Sequence, residues 1–105
     1  MAVVANIVEP GPTYGDGEAV RIHIRTRGRR VDLHDDGRAV AKAGAVPRGW
    51  LELVEGIVAE EGFNVNRRGV LFVPVTLGRD LDELAERLAG TAVDVYAALL
   101  ELADD

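Results

Sequence analysis

Residues 20–37 have the sequence VRIHIRTRGRRVDLHDDG, which contains the strictest alternation in the chain. The even positions from Val20 to Ile24 are apolar, and the odd positions around them are basic or titratable: Arg21, His23, Arg25, Arg27 and Arg29. A period of two is typical of a strand with one buried and one solvated face. After Gly28 the parity reverses, since Val31 and Leu33 are apolar. This segment is therefore predicted to be a β-hairpin.

The register of the hairpin follows from its two faces. Apolar residues of the two strands pair with each other only if the two residue numbers of each pair sum to an odd value. Thr26 then pairs with Val31, around either a two-residue Gly28-Arg29 turn with glycine first or a four-residue loop. The other predicted pairs are Ile24–Leu33 on the buried face and Arg25–Asp32, His23–His34 and Arg21–Asp36 on the solvated face.

The composition predicts one small globular domain and excludes several chemistries. With 105 residues, the chain is expected to form a single domain 1–105, with a strand and loop in residues 1–17 and the core in residues 18–105. Cysteine and serine are absent, so disulfides, thiolate zinc sites and Ser- or Cys-based hydrolysis are excluded. No apolar run is long enough to cross a bilayer and no signal peptide is recognisable, so we expect a cytoplasmic protein without membrane contact.

The formal charge of −6 is unevenly distributed along the chain. Residues 1–50 carry a net charge of +2, and residues 51–105 carry −8. Such asymmetry arises either from two kinds of partner surface or from acidic helices with solvated faces, and the second explanation is favoured.

The rest of the chain predicts helices and a second hairpin. The expected elements are a strand within residues 3–8, a short helix from Arg38 to Ala43, a helix that starts near Pro47 and ends at Gly62, a hairpin over residues 63–75 and a helix from Asp80. Gly90-Thr91 is predicted to break that last helix, because Thr91 and Asp94 could cap a new one. The fold class is α+β, a small two-layer domain with a mainly antiparallel sheet of two β-hairpins packed by two to three helices.

One short motif suggests a relationship. The sequence Asp35-Asp36-Gly37 follows an extended segment and precedes a short helix, a longer helix, a hairpin and a C-terminal helix. This order resembles a domain family of unknown function in small bacterial and phage proteins. The resemblance covers about residues 18–103. It implies no activity, cofactor or partner, and it suggests a bacterial or phage context.

Two candidate sites lie on the predicted hairpin. His23 and His34 face each other closely enough to share a metal or a proton, but two histidines do not complete a zinc shell, and a solvated ladder of cross-strand charge pairs is favoured. No metal, cofactor or catalytic residue is predicted. A nucleic-acid face is formed by Arg21, Arg25, Arg27, Arg29 and Arg30. The acidic return strand, the negative total charge and the lack of interleaved aromatic residues argue against this face.

A third candidate is self-association. The segment VLFV is apolar on both faces, and the last helix is apolar over most of its circumference, which is typical of elements covered on several sides. The candidate residues are Leu71, Val73, Val93, Tyr96, Ala97 and Leu100. We therefore predict a non-enzymatic protein-interaction module that forms a homo-oligomer, with nucleic-acid binding through the hairpin as the alternative.

Overall fold

The predicted hairpin forms the centre of an antiparallel sheet in a computed structural model, which describes residues 6–44, 46–76 and 78–104. Within these residues the sheet has five strands in the order β1-β2-β3-β5-β4. The strands are β1 Asn6–Val8, β2 Ile22–Arg27, β3 Arg30–His34, β4 Asn64–Val65 and β5 Leu71–Val75. The strand predicted for residues 3–8 is confirmed over β1, and residues 3–5 lie outside the described residues.

The register of the central hairpin is confirmed. Ile24 pairs with Leu33, and Thr26 pairs with Val31. The turn has two residues, and Gly28 has a φ of 58°, a conformation that glycine adopts without steric cost. The predicted pair of Arg21 with Asp36 does not form, because β3 ends at His34 and Asp36 adopts a left-handed φ of 59° that turns the chain away.

Over the residues that the structure describes, three helices accompany the sheet, and the α+β prediction is confirmed. They are α1 Arg38–Lys42, α2 Trp50–Glu60 and α3 Leu81–Asp104. One hydrophobic core contains Ile22 and Leu33 from the sheet together with Val54 of α2 and Leu88 of α3. The core therefore lies on one side of the sheet, where the even-numbered residues of β2 point.

Helix α2 ends as the sequence predicts. Gly62 has a φ of 79° and donates to the carbonyl of Ala59 at 3.0 Å, and Phe63 donates to that of Val58 at 2.9 Å. These two bonds define a Schellman end, in which the residue after glycine folds back against the helix. Phe63 is accordingly buried. The helix starts at Trp50, three residues after the predicted Pro47, and Trp50 is half-buried against the core.

The predicted break at Gly90-Thr91 is wrong, since α3 runs without interruption for 24 residues. The Thr91 hydroxyl donates to the carbonyl of Arg87 at 3.0 Å, within the same helix, and caps no new one. Buried Leu88, Ala92 and Val95 continue one stripe across the glycine. Burial of that stripe outweighs the local cost of a mid-helix glycine, which is about 1 kcal/mol.

The second hairpin joins β4 and β5, as predicted for residues 63–75. The side chain of Asn66 accepts hydrogen bonds from the amides of Arg68 and Val70, and Gly69 has a φ of 83°. Val65 pairs with Leu71, and Asn64 pairs with Phe72. Strand β5 also pairs with β3, so this hairpin completes the sheet.

A charged cluster fixes the loop between β1 and β2. The ammonium of Lys42, the one lysine of the chain, binds the carboxylates of Asp16 and Glu18 and lies 5.2 Å from the ring centroid of Tyr14. Tyr14 packs edge-on against Tyr96 with centroids 5.5 Å apart. Burial raises the pKa of Tyr14. The cluster anchors residues 13–19 to α1 and α3.

Candidate nucleic-acid interface

The sheet presents a second face to solvent, opposite the core. Paired residues share a face, and the pairs Ile7–His23, His23–His34 and His34–Phe72 form one continuous row across four strands. We call this row of four residues the central row. The neighbouring row pairs Arg25 with Asp32 and Asp32 with Pro74, and the last row pairs Arg27 with Arg30. All these side chains are exposed or half-buried, and we call this surface the open face.

The two histidines stack in the middle of the central row. Their ring centroids are 5.0 Å apart, and their planes differ by 18°. The backbone N–H of Asp36 donates to Nδ1 of His34 at 3.0 Å, so Nε2 carries the proton of the neutral ring. Burial, together with the nearby charges of His23 and Arg25, lowers the pKa of His34. The neutral ring is therefore favoured in the folded protein.

Phe72 extends the row of rings, and the sequence analysis did not assign it to this face. Phe72 pairs with His34 and is half-buried. Its position depends on the pairing of β3 with β5, which are about forty residues apart in the chain. The apolar segment VLFV, with Phe between two inward residues, was the local indication of an aromatic side chain on the outer side. Cross-strand pairing thus brings one phenyl ring and two imidazole rings into one row on this face, and rings of this kind are groups on which unpaired bases can stack.

All five arginines predicted for a nucleic-acid face are exposed, but they differ in their partners. Arg21 donates to the carboxylate of Glu9 at 3.2 Å, and Arg25 lies opposite Asp32. Arg27 and Arg30 face each other at the end of the hairpin, and Arg29 lies in the turn. Within the described residues, Arg27, Arg29 and Arg30 make no salt bridge. The strongest uncompensated positive charge of the open face is therefore at the hairpin tip.

A cleft of about 360 Å³ adjoins the other end of the open face. It shares Ile7 and His23 with that face, and the rest of its lining is mostly charged and includes Arg21, Asp36 and Arg38. Arg38 binds the Glu18 carboxylate through two hydrogen bonds of 2.8 and 3.0 Å. The cleft gives the central row a concave margin, which the sequence analysis did not predict because residues from three segments form it.

The predicted self-association residues divide into two groups. Leu71 and Val73 are buried in the core, where they point toward the helices. Val93 and Tyr96 are half-buried against the core, whereas Ala97 is exposed and 40% of Leu100 is exposed. The apolar strand thus contributes no such surface through Leu71 and Val73, because these side chains fill the domain's own core.

In the described part of the chain, the histidines and carboxylates form no group of three or more that could hold a metal ion. None of its helices is long and apolar enough to cross a membrane.

Comparisons of the chain with protein-family models, with curated proteins and with solved structures find no match. The resemblance of residues 18–103 to a family of unknown function therefore stays a prediction.

Proposed function

We propose that this protein is a non-enzymatic binding module whose open face binds single-stranded nucleic acid. The observation that carries this proposal is the central row, in which cross-strand pairing brings His23, His34 and Phe72 to neighbouring positions, with arginines in the rows beyond them. Bases stack on exposed rings, and phosphates bind to arginines beside them. The objection that the hairpin lacks interleaved aromatic residues no longer applies, because the sheet supplies the rings from three strands.

The size of the central row suits a short stretch of unpaired nucleotides. The row crosses four neighbouring strands, and strands are about 4.8 Å apart, so it measures about 14 Å. Sheet surfaces of this width stack about two or three bases. A duplex has no unstacked bases to offer to these rings, so the proposal favours single strands over duplexes.

The net charge of −6 does not oppose this proposal, because most of the exposed acidic side chains of the described residues lie on α2 and α3 rather than on the open face. Helices α2 and α3 carry nine exposed acidic side chains: Glu52, Glu55, Glu60, Asp82, Glu83, Glu86, Asp94, Glu101 and Asp104. These helices pack on the core side of the sheet. Local potential, rather than total charge, governs the approach of a charged ligand at distances within about 10 Å at ordinary salt.

The test is fluorescence anisotropy with labelled twelve-nucleotide oligothymidine and oligouridine at 50 and 200 mM salt. If three phosphates are neutralised, the affinity should fall roughly twentyfold over this range, and the matching duplex should bind more weakly. Arg30→Gln should weaken binding, whereas Arg48→Gln, which removes an exposed arginine next to α2, should not. Absence of salt-sensitive binding at 100 µM protein would contradict the proposal. Tighter binding of the duplex would favour insertion of the hairpin into a groove.

Self-association through α3 is the second candidate function, and the exposure of Leu100 favours it. Val93, Ala97 and Leu100 have the spacing of one helical stripe, and 40% of Leu100 is exposed. A second copy of the chain could cover this stripe in an antiparallel helix pair. Sedimentation velocity tests this candidate: a dimer that Leu100→Glu converts to a monomer would support it, and a monomer of 11.3 kDa at all concentrations would refute it.

A further inference from the structure

We propose that the stacked pair His23–His34 makes nucleic-acid binding proton-dependent, so that the strand binds more tightly when these imidazoles are protonated. This inference rests on the proposed function, since it concerns regulation of the open face. The geometry that carries it is the position of both rings in the middle of the central row, with centroids 5.0 Å apart. Any strand stacked on Phe72 and His34 would place its phosphates near this pair.

The two imidazoles constrain each other's charge. Two cationic rings at this distance repel, so the pair takes up protons in coupled steps. A proton on Nδ1 of His34 would also oppose the N–H of Asp36, which donates to that nitrogen at 3.0 Å. In the free protein both effects favour the neutral ring of His34. A phosphate placed over the pair would offset the repulsion, so strand binding and proton uptake should favour each other.

The charged groups that face the pair come from several elements. They are Arg21 and Arg25 of the β2 segment, Asp32 of β3, Asp36 of the following turn, and Glu9, Glu18, Asp35 and Arg38 around the cleft. From β1 and β5 the pair meets the uncharged side chains of Ile7 and Phe72. Histidine is the residue type whose ordinary pKa lies between pH 7.5 and 5.5. Burial raises the pKa of Asp35, which lines the cleft, but a variant that replaces both histidines keeps Asp35, so any proton uptake there is common to both proteins.

The experiment measures oligothymidine affinity at fixed salt from pH 7.5 to 5.5, because thymine and the phosphodiester do not titrate there. The full chain should bind severalfold more tightly at pH 5.5, because a rise of one unit in one pKa increases the affinity by at most about tenfold. The double variant His23→Gln/His34→Asn loses two rings of the central row and should bind more weakly than the protein, but its affinity should change little across this pH range. Asparagine is chosen to replace His34 because its amide oxygen can still accept the N–H of Asp36.

Histidine resonances in NMR spectra provide a second readout, since the protein has two histidines. Their apparent pKa values should rise when oligothymidine is added. Binding with the same pH dependence in the protein and in the double variant would overturn this inference but leave the proposed function intact. Absence of binding at every pH would instead overturn the proposed function, so the two failures are distinguishable. Circular dichroism at pH 5.5 verifies that both proteins stay folded.

Discussion

The carboxylate of Asp35 accepts a hydrogen bond from the backbone N–H of Leu71 at 2.9 Å, across 36 positions of the chain. The same carboxylate accepts the N–H groups of Gly37 at 2.8 Å and Ala39 at 3.2 Å. Asp35 is fully buried. Burial raises its pKa, and the three amide donors act in the opposite direction. One side chain thus joins the end of β3, the start of α1 and strand β5.

Replacement of this carboxylate should destabilise the fold. Asp35→Asn replaces one acceptor oxygen with an NH₂ group that would face an amide donor, and a buried unsatisfied donor costs about 1–3 kcal/mol. We expect the free energy of unfolding in urea to fall by about 2 kcal/mol. The matched control is Asp36→Asn, because Asp36 is exposed and asparagine tolerates its left-handed φ of 59°. Equal effects of the two substitutions would contradict this role of Asp35.

The central hairpin could be predicted from the sequence because the residues that determine it are close together in the chain. The alternation of Ile22, Ile24 and Leu33 fixes both the register and the buried face, and Gly28 fixes the turn. The prediction failed at Gly90-Thr91, where capping residues were interpreted without knowledge of the packing around them. The continuous stripe of α3 is buried by the sheet and by the other helices, and tertiary burial outweighs local preference there.

Gly69 should tolerate alanine less well than Gly28, although both have positive φ. A Cβ atom at Gly69 would lie 3.0 Å from two side-chain carbons of Val40, whereas one at Gly28 would meet nothing within 4 Å. The left-handed conformation alone costs a non-glycine residue about 1–2 kcal/mol, and overpacking adds about 1–3 kcal/mol. We expect losses in unfolding free energy of about 3 kcal/mol for Gly69→Ala and about 1 kcal/mol for Gly28→Ala. Urea denaturation of both variants measures the difference, and similar losses would refute the close approach of Val40.

The candidate site could be predicted only in part. The arginines and the opposed histidines follow from the hairpin register alone. Phe72 and the cleft do not, because they depend on the pairing of β3 with β5 and on the turn after His34. Contacts between distant segments carry no local pattern in one sequence, so the ring that gives the central row its stacking surface emerged only from the fold.

His34 should make folding stability depend on pH. Its pKa in the folded protein is lowered, chiefly by burial, so the unfolded chain binds more protons near its ordinary value of about 6.5. The neutral ring therefore contributes its full stability to the fold above a pH of about 6.5. This stability is lost as the pH falls through the pKa that His34 has in the folded protein. We expect the unfolding free energy in urea to decrease from pH 7.5 to 5.5 more steeply in the protein than in His34→Asn.

The comparison with His34→Asn also separates His34 from Asp35. The raised pKa of Asp35 acts with the opposite sign, because the folded state then binds more protons than the unfolded chain as the pH falls. This contribution is common to both proteins and cancels in their difference. If the unfolding free energies of the protein and of His34→Asn change equally with pH, protonation of His34 does not affect folding stability.

Phe72 should contribute more to strand binding than to stability. The ring is half-buried on the open face next to His34, and removal of a stacking ring costs about 1–3 kcal/mol per base. We expect Phe72→Ala to weaken oligothymidine binding about tenfold, whereas Phe72→Tyr keeps a flat ring and should bind nearly as well. Anisotropy at 50 mM salt measures both affinities, and urea denaturation verifies that the variants are folded. If Phe72→Ala and Phe72→Tyr bind equally well, bases do not stack on this ring, and the arginines alone would have to hold the strand.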